Sequence, residues 1–174
     1  MWCVIQVFTG KEEFIRHACV KYIDKSILED TFIPMAVRRR KYSGVWKDEK
    51  CALFPGYVFM ITEDPSALHD ELRKVVGLTK LLSSDSEFLT LTEAEVELMK
   101  RLGGDDHITD VSVGVIVGDK VSVTEGPLIG LEGAIKKIDR HKRQCKVEVD
   151  LFGQKTLLTV GLEIISKKDA EVKS

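Results

Sequence analysis

No apolar run in the 174 residues is long enough to span a bilayer, and no basic segment followed by an apolar stretch opens the chain. A cytoplasmic setting and no membrane partner are therefore expected. Excess charge of one sign is also missing: the formal net charge is -2 and the pI is about 6.1, so any attraction for nucleic acid must be local. Cys3, Cys19, Cys51 and Cys145 never form a C-x-x-C pair, and His17, His69, His107 and His141 are equally scattered. Short-motif zinc sites need paired ligands at close spacing, so no metal and no cofactor is expected, and the cysteines read as reduced, buried thiols. No phosphate-cradling glycine loop and no nucleophile–base pairing is present. An enzyme is not expected.

What is present is a chain of ordinary apolar content, 44%, organised in two styles. Trp2–Phe8 is aromatic and β-branched, as a buried strand is. Thr9 and Glu12 have capping-box spacing before apolar positions Phe14, Ile15, Ala18, Cys19 and Tyr22 at helical intervals. Strand-like segments around Thr31–Tyr42 and Cys51–Thr62 flank a Ser43-Gly44 turn, which predicts a hairpin. Asp64-Pro65 starts a second helix, a short strand is expected near Leu78–Leu82, and Thr92 with Glu95 caps a helix to about Leu102. Beyond a polar linker, Gly103 to Ser112, helix signals vanish. Short β-branched runs follow at Lys120–Val123, Ala134–Ile138, Cys145–Leu151, Thr156–Val160 and Leu162–Ile165, the pattern of a small barrel. The predicted fold class is α+β: an α/β sandwich with an antiparallel sheet, then a small β-barrel.

Two motifs carry chemistry. Phe54-Pro55-Gly56-Tyr57-Val58-Phe59 places a proline and a glycine inside an apolar strand, where proline cannot donate to a ladder. Such a break fits a strand that bends and exposes aromatic edges to a partner helix. Farther on, Gly118-Asp119-Lys120-Val121 runs to Glu125-Gly126-Pro127, Gly130 and Gly133. In this order the two motifs resemble the NusG family of transcription elongation factors, over nearly the whole chain. The resemblance implies an NGN domain over 1–102, a linker over 103–112 and an SH3-like KOW barrel over 113–174. It further implies that Trp2, Phe54, Tyr57 and Phe59 belong to an apolar surface gripping the clamp helices of RNA polymerase. Phe152-Gly153-Gln154 resembles the family's FGR loop, making Phe152 the candidate contact for a ribosomal protein or another Nus factor. Leu128 and Gln154 depart from the family's usual phenylalanine and arginine, and the loss of that arginine weakens the case for inherited contacts to Rho or the ribosome. The stretch used by some members to touch DNA corresponds to His69–Val75, where Arg73 and Lys74 are the remaining basic residues.

Arg38-Arg39-Arg40-Lys41 and Lys47 form a basic hairpin with Tyr42 and Trp46 interleaved, and from Arg38 to Lys47 no side chain is acidic. Strand alternation sends these cations to both faces, so the hairpin is expected at an edge or as a flap. Clustered arginines beside aromatics suit RNA phosphates and an unstacked loop base, which makes Arg38, Arg39, Arg40, Lys41, Trp46 and Lys47 the candidate RNA contacts. A solvated, charge-guarded edge strand is the alternative. A second basic run spans Lys136–Arg143. That turn and the Gly161–Ile165 ending are similar to the LoaP group of specialised NusG paralogs, antiterminators that recognise an RNA hairpin. The expected function is a transcription elongation regulator that binds RNA polymerase and an RNA hairpin and promotes antitermination. A general elongation factor coupling polymerase to ribosome or Rho, and a ribosome-associated KOW protein, stay open.

Overall fold

The computed structural model describes residues 1–75 and 88–168. The expected strand near Leu78–Leu82 lies outside them. The architecture is mixed α+β, with elements β1 (Trp2–Gln6), α1 (Glu12–Tyr22), β2 (Asp30–Phe32), β3 (Met35–Tyr42), β4 (Val45–Ala52), β5 (Tyr57–Ile61), α2 (Pro65–Lys74), β6 (Phe88–Thr90), α3 (Glu93–Gly103), β7 (Ile108–Thr109), β8 (Ser112–Val117), β9 (Lys120–Glu125), β10 (Ile135–Asp139), β11 (Gln144–Leu151) and β12 (Gln154–Lys168). Two compact units result: Met1–Pro34 with Phe54–Leu98, and Met35–Leu53 with Met99–Ser174. The basic hairpin thus groups with the C-terminal half of the chain.

In the first unit an antiparallel sheet runs β2-β5-β1-β6. Alternation sends Cys3, Ile5 and Val7 with Val58 and Met60 to one face, where Ile15 and Cys19 of α1 and Leu68 and Leu72 of α2 complete a core. β5 pairs with β1 and with β2, so the single hairpin expected from the Thr31 and Cys51 segments is divided. Only Met35–Tyr42 and Val45–Ala52 form the hairpin around Ser43-Gly44. Both turn residues have positive φ, 48° and 81°, as a two-residue hairpin turn matching strand twist requires.

The helix starts fall out differently. Asp64 accepts from the Ala67 amide at 3.0 Å, and Thr92 and Glu95 exchange bonds at 3.0 and 3.2 Å, both as expected. The Thr9–Glu12 box does not form: α1 begins at Glu12 and its cap position, Lys11, supplies no side-chain bond. The Glu12 carboxylate is used elsewhere, accepting from the Gly10 amide at 2.8 Å and from the Gly56 amide at 2.7 Å. Gly56 has φ +87°, its carbonyl accepts from the Val7 amide at 2.7 Å, and a Cβ there would meet the Val7 oxygen at 3.1 Å. The Pro-Gly break is therefore a corner that Glu12 and β1 hold before β5 begins.

In the second unit a five-stranded sheet runs β10-β11-β12-β8-β9. β8 belongs to it and begins at Ser112, the last residue of the expected linker, and β12 is one continuous strand in place of the two short runs expected. Cys145, Val147, Val149 and Leu151 of β11 and Leu158, Val160 and Leu162 of β12 are all buried, a clean period of two. β3, with β4 on one side and β7 on the other, makes a separate three-stranded sheet.

Two outcomes follow. Glu12→Ala removes a charged acceptor from two amides and is expected to lower stability by about 1.5–3 kcal/mol in urea unfolding; Thr9→Ala should stay within about 0.5 kcal/mol. Burial pushes the Cys19 and Cys145 thiols from 9.0 up to about 12. Because the folded-state values are raised, their contribution is complete below pH 9.0 and is lost as pH rises through about 12. Denaturant midpoints should fall across that window, and less steeply in a Cys19→Ala/Cys145→Ala protein.

Candidate nucleic-acid and partner interface

The aromatic motif lies on the face of the first sheet opposite the helix-covered one. Phe59 stacks at 5.5 Å from Phe32 and 5.6 Å from Phe54, and Trp2 meets Phe32 edge-on at 5.1 Å. Exposed aromatic edges were expected, yet Trp2 is 8% exposed, Phe54 4% and Phe59 0%. Tyr57 alone is half-buried, at the start of β5 just after the corner. The cluster is thus a packed layer with one ring at its margin. Arg73 and Lys74 end α2, with Lys74 paired to Glu71 at 3.0 Å.

The basic hairpin is less free than its sequence suggests. β3 pairs with β4 so that Arg39 faces Asp48 and Arg38 faces Glu49. Arg39 Nε lies 3.4 Å from Asp48, and Arg40 Nε 2.7 Å from Glu49, whose other oxygen accepts from Tyr42 at 3.3 Å. The positive field expected across Arg38–Lys47 is therefore partly cancelled from the neighbouring strand. Among the described residues Lys41 and Lys47 make no ion pair; the Lys41 ammonium lies 5.9 Å from the Trp46 ring.

Nor is the hairpin a protruding flap. Residues Thr159, Gly161 and Glu163 of β12 alternate with the buried Leu158, Val160 and Leu162, and this opposite face receives β3. A Cβ on Gly161 would sit 2.8 Å from the Val37 carbonyl oxygen and 2.9 Å from Val111, so only glycine lets the two backbones approach this closely. On either side, Arg38 donates to the Thr159 carbonyl at 3.3 Å and Arg39 Nη1 pairs with Glu163 Oε2 at 3.1 Å. The other Glu163 oxygen takes Arg143 Nη1 at 3.3 Å, and the Arg143 guanidinium lies over the Trp46 ring at 4.0 Å. A cavity of about 580 Å3 opens here, lined by Arg38 to Tyr42, Trp46 and residues of the β10–β11 turn. The geometry brings together five of the six predicted RNA residues; Lys47 does not line the cavity. Sequence reading noted the Lys136–Arg143 run and the Gly161–Ile165 ending but did not join Gly161, Glu163 or Arg143 to the β3–β4 hairpin. The one signal was an acid in the apolar run Leu162–Ile165, two positions beyond a glycine.

Phe152 sits with Gly153 in the two-residue turn between β11 and β12, half-buried and with φ 57°, a strained value for a bulky residue. Among the described residues no group of three or more His, Cys, Asp or Glu is placed to hold a metal, and no helix is long and apolar enough to cross a membrane.

A family model described as "Transcription termination factor nusG" matches residues 1–100. The chain belongs to the NusG family. It is 28% identical to the transcription termination/antitermination protein NusG of Rickettsia bellii, over 97% of this chain and 90% of that protein. With the Bacillus subtilis protein of the same name the identity is 27%, over 95% of this chain and 97% of that one. The solved structure titled "Domain interaction in Thermotoga maritima NusG" superposes with a TM-score of 0.56 at 25% identity, covering 92% of each chain. NusG proteins are transcription factors, so the chemistry to be explained is recognition. In this NusG-family chain Gly161→Ala should force β3 off β12, costing about 1–3 kcal/mol in denaturant unfolding. Fluorescence should then report Trp46 released from Arg143.

Proposed function

We propose that this chain is a transcription elongation regulator that binds RNA polymerase and promotes processive antitermination, with recognition of an RNA hairpin as in the LoaP group. Residues 1–102 serve as the polymerase-binding NGN domain, 103–112 as a linker and 113–174 as an SH3-like KOW barrel. Tyr57 meets the polymerase clamp helices directly, and Trp2, Phe54 and Phe59 support that surface from beneath. Holding the clamp disfavours the open, paused state of polymerase by differential binding. Arg38, Arg39, Arg40, Lys41, Trp46 and Lys47 contact the RNA hairpin, and Phe152 recruits a ribosomal protein or another Nus factor. The observation that carries the RNA reading is the gathering of arginines, Lys41 and a tryptophan around one cavity in a chain of net negative charge.

The test is polymerase pull-down together with run-through of a terminator on templates with and without leader hairpins. Wild type should bind polymerase and raise run-through only when the template carries its hairpin. Tyr57→Ala should weaken polymerase binding by about 2 kcal/mol while keeping the wild-type melting temperature. Polymerase binding unchanged in folded Tyr57→Ala contradicts the clamp assignment. Run-through indifferent to every leader hairpin fits a general NusG role instead.

A further inference from the structure

The cavity beside Trp46 is not made by the β3–β4 hairpin alone. His141, Lys142 and Gln144, at the turn between β10 and β11, line it together with Arg40, Lys41 and Trp46. Resting on the RNA reading above, we propose that the two hairpins form one composite pocket for a single unstacked loop nucleotide, and that Gln144 reads its base.

Four observations converge. First, the cations of β3 are unequally available: Arg39 is held by Asp48 and Glu163 and Arg40 by Glu49, whereas Lys41 and Lys142 make no ion pair among the described residues. The ammonium groups left for a phosphate thus come one from each hairpin. Second, the Trp46 ring lines the cavity and is held from outside it by the Arg143 guanidinium at 4.0 Å, a fixed aromatic face of the kind on which splayed RNA bases stack. Third, Arg143 holds φ +52°, a strained backbone for a bulky residue, where it stacks on Trp46 and pairs with Glu163. Fourth, the Gln144 carboxamide is a neutral lining group that offers an acceptor and two donors side by side, as a base edge requires, whereas the Tyr42 hydroxyl beside it is already spent on Glu49. The volume, about 580 Å3, falls in the range of roughly 300–1,000 Å3 typical of pockets for small ligands. A concave pocket of this size takes a base out of a loop. The narrow, deep groove of an RNA duplex excludes such side chains. An acidic peptide without an aromatic ring would use the lysines but leave the Trp46 face uncovered.

Glu163, beside this pocket and not in its lining, is a positioning residue. Its two oxygens bind Arg39 and Arg143, one from each hairpin, so it fixes their spacing and does not itself meet phosphate.

The experiment presents the full chain with a library of RNA hairpins of fixed stem and randomised loop at constant salt, then measures binding of the most enriched hairpin. Lys142→Ala should weaken that binding roughly tenfold. It should also lower the log–log salt slope by about 0.7 to 0.9. Gln144→Ala should change which loop base is enriched and leave the slope alone. Trp46→Ala and Gln144→Ala should combine non-additively, as neighbours do. Glu163→Gln should weaken the selected hairpin, although loss of an acid would on charge alone strengthen RNA binding. Lys155→Ala, whose partner is Asp150, should bind as wild type. If Arg40→Ala and Trp46→Ala weaken binding while Lys142→Ala, Lys142→Glu and Gln144→Ala match wild type, the composite pocket is wrong and the RNA reading stands. If no hairpin binds wild type more tightly than scrambled RNA or polyglutamate, both fail. Lys142→Glu guards against a Gln144 variant that does not fold, since Lys142 is exposed.

Discussion

The approach of β3 to β12 at Gly161 is the constraint on which the second unit's chemistry depends. With 2.8 Å between a would-be Cβ and the Val37 oxygen, one missing side chain sets the distance between two backbones. A chain of contacts beside the cavity spans that distance. Arg38 reaches the Thr159 carbonyl, Arg39 reaches Glu163, and Glu163 in turn fixes Arg143 against Trp46. These contacts lie within a partly exposed region, where single ion pairs contribute little on their own. Their value is geometric: a long, mobile arginine at each hairpin is confined to one position.

A comparable economy operates in the first unit. The Glu12 carboxylate gives up the capping box its position suggests and holds the Gly56 amide, while Gly56 returns a bond to Val7. This corner ends one strand path and begins β5, which places Tyr57 at the margin of an aromatic layer whose other members are buried. The Pro-Gly interruption thus has a structural cause that is independent of any partner, and of Trp2, Phe54, Tyr57 and Phe59 only Tyr57 is left half-buried.

Much of the fold was legible because its signals are local. Asp64-Pro65 and the Thr92–Glu95 pair specify helix starts with their own side chains, and the alternation in β11 needs only its own residues. Ser43-Gly44 needs positive φ twice and so announces the hairpin. What failed were features decided by distant groups. Glu12 was diverted by Gly56, a residue far along the chain, and Gly161 read as a strand break because its reason lies in Val37 on another strand. Likewise the positive field over Arg38–Lys47 looked concentrated only until Asp48 and Glu49 were brought alongside by the register. The residue types at the site could be named from the sequence; the second hairpin's share in the cavity could not.

The most direct measurement of the central claim, that one cavity built from two hairpins receives the RNA, is photo-crosslinking of the intact protein to its selected hairpin carrying 4-thiouridine in the loop, with peptides identified by mass spectrometry. The account predicts crosslinks from a single loop nucleotide to both hairpins, at Lys41–Trp46 and at His141–Gln144. Crosslinks confined to one hairpin, or falling on residues outside the cavity, would contradict it.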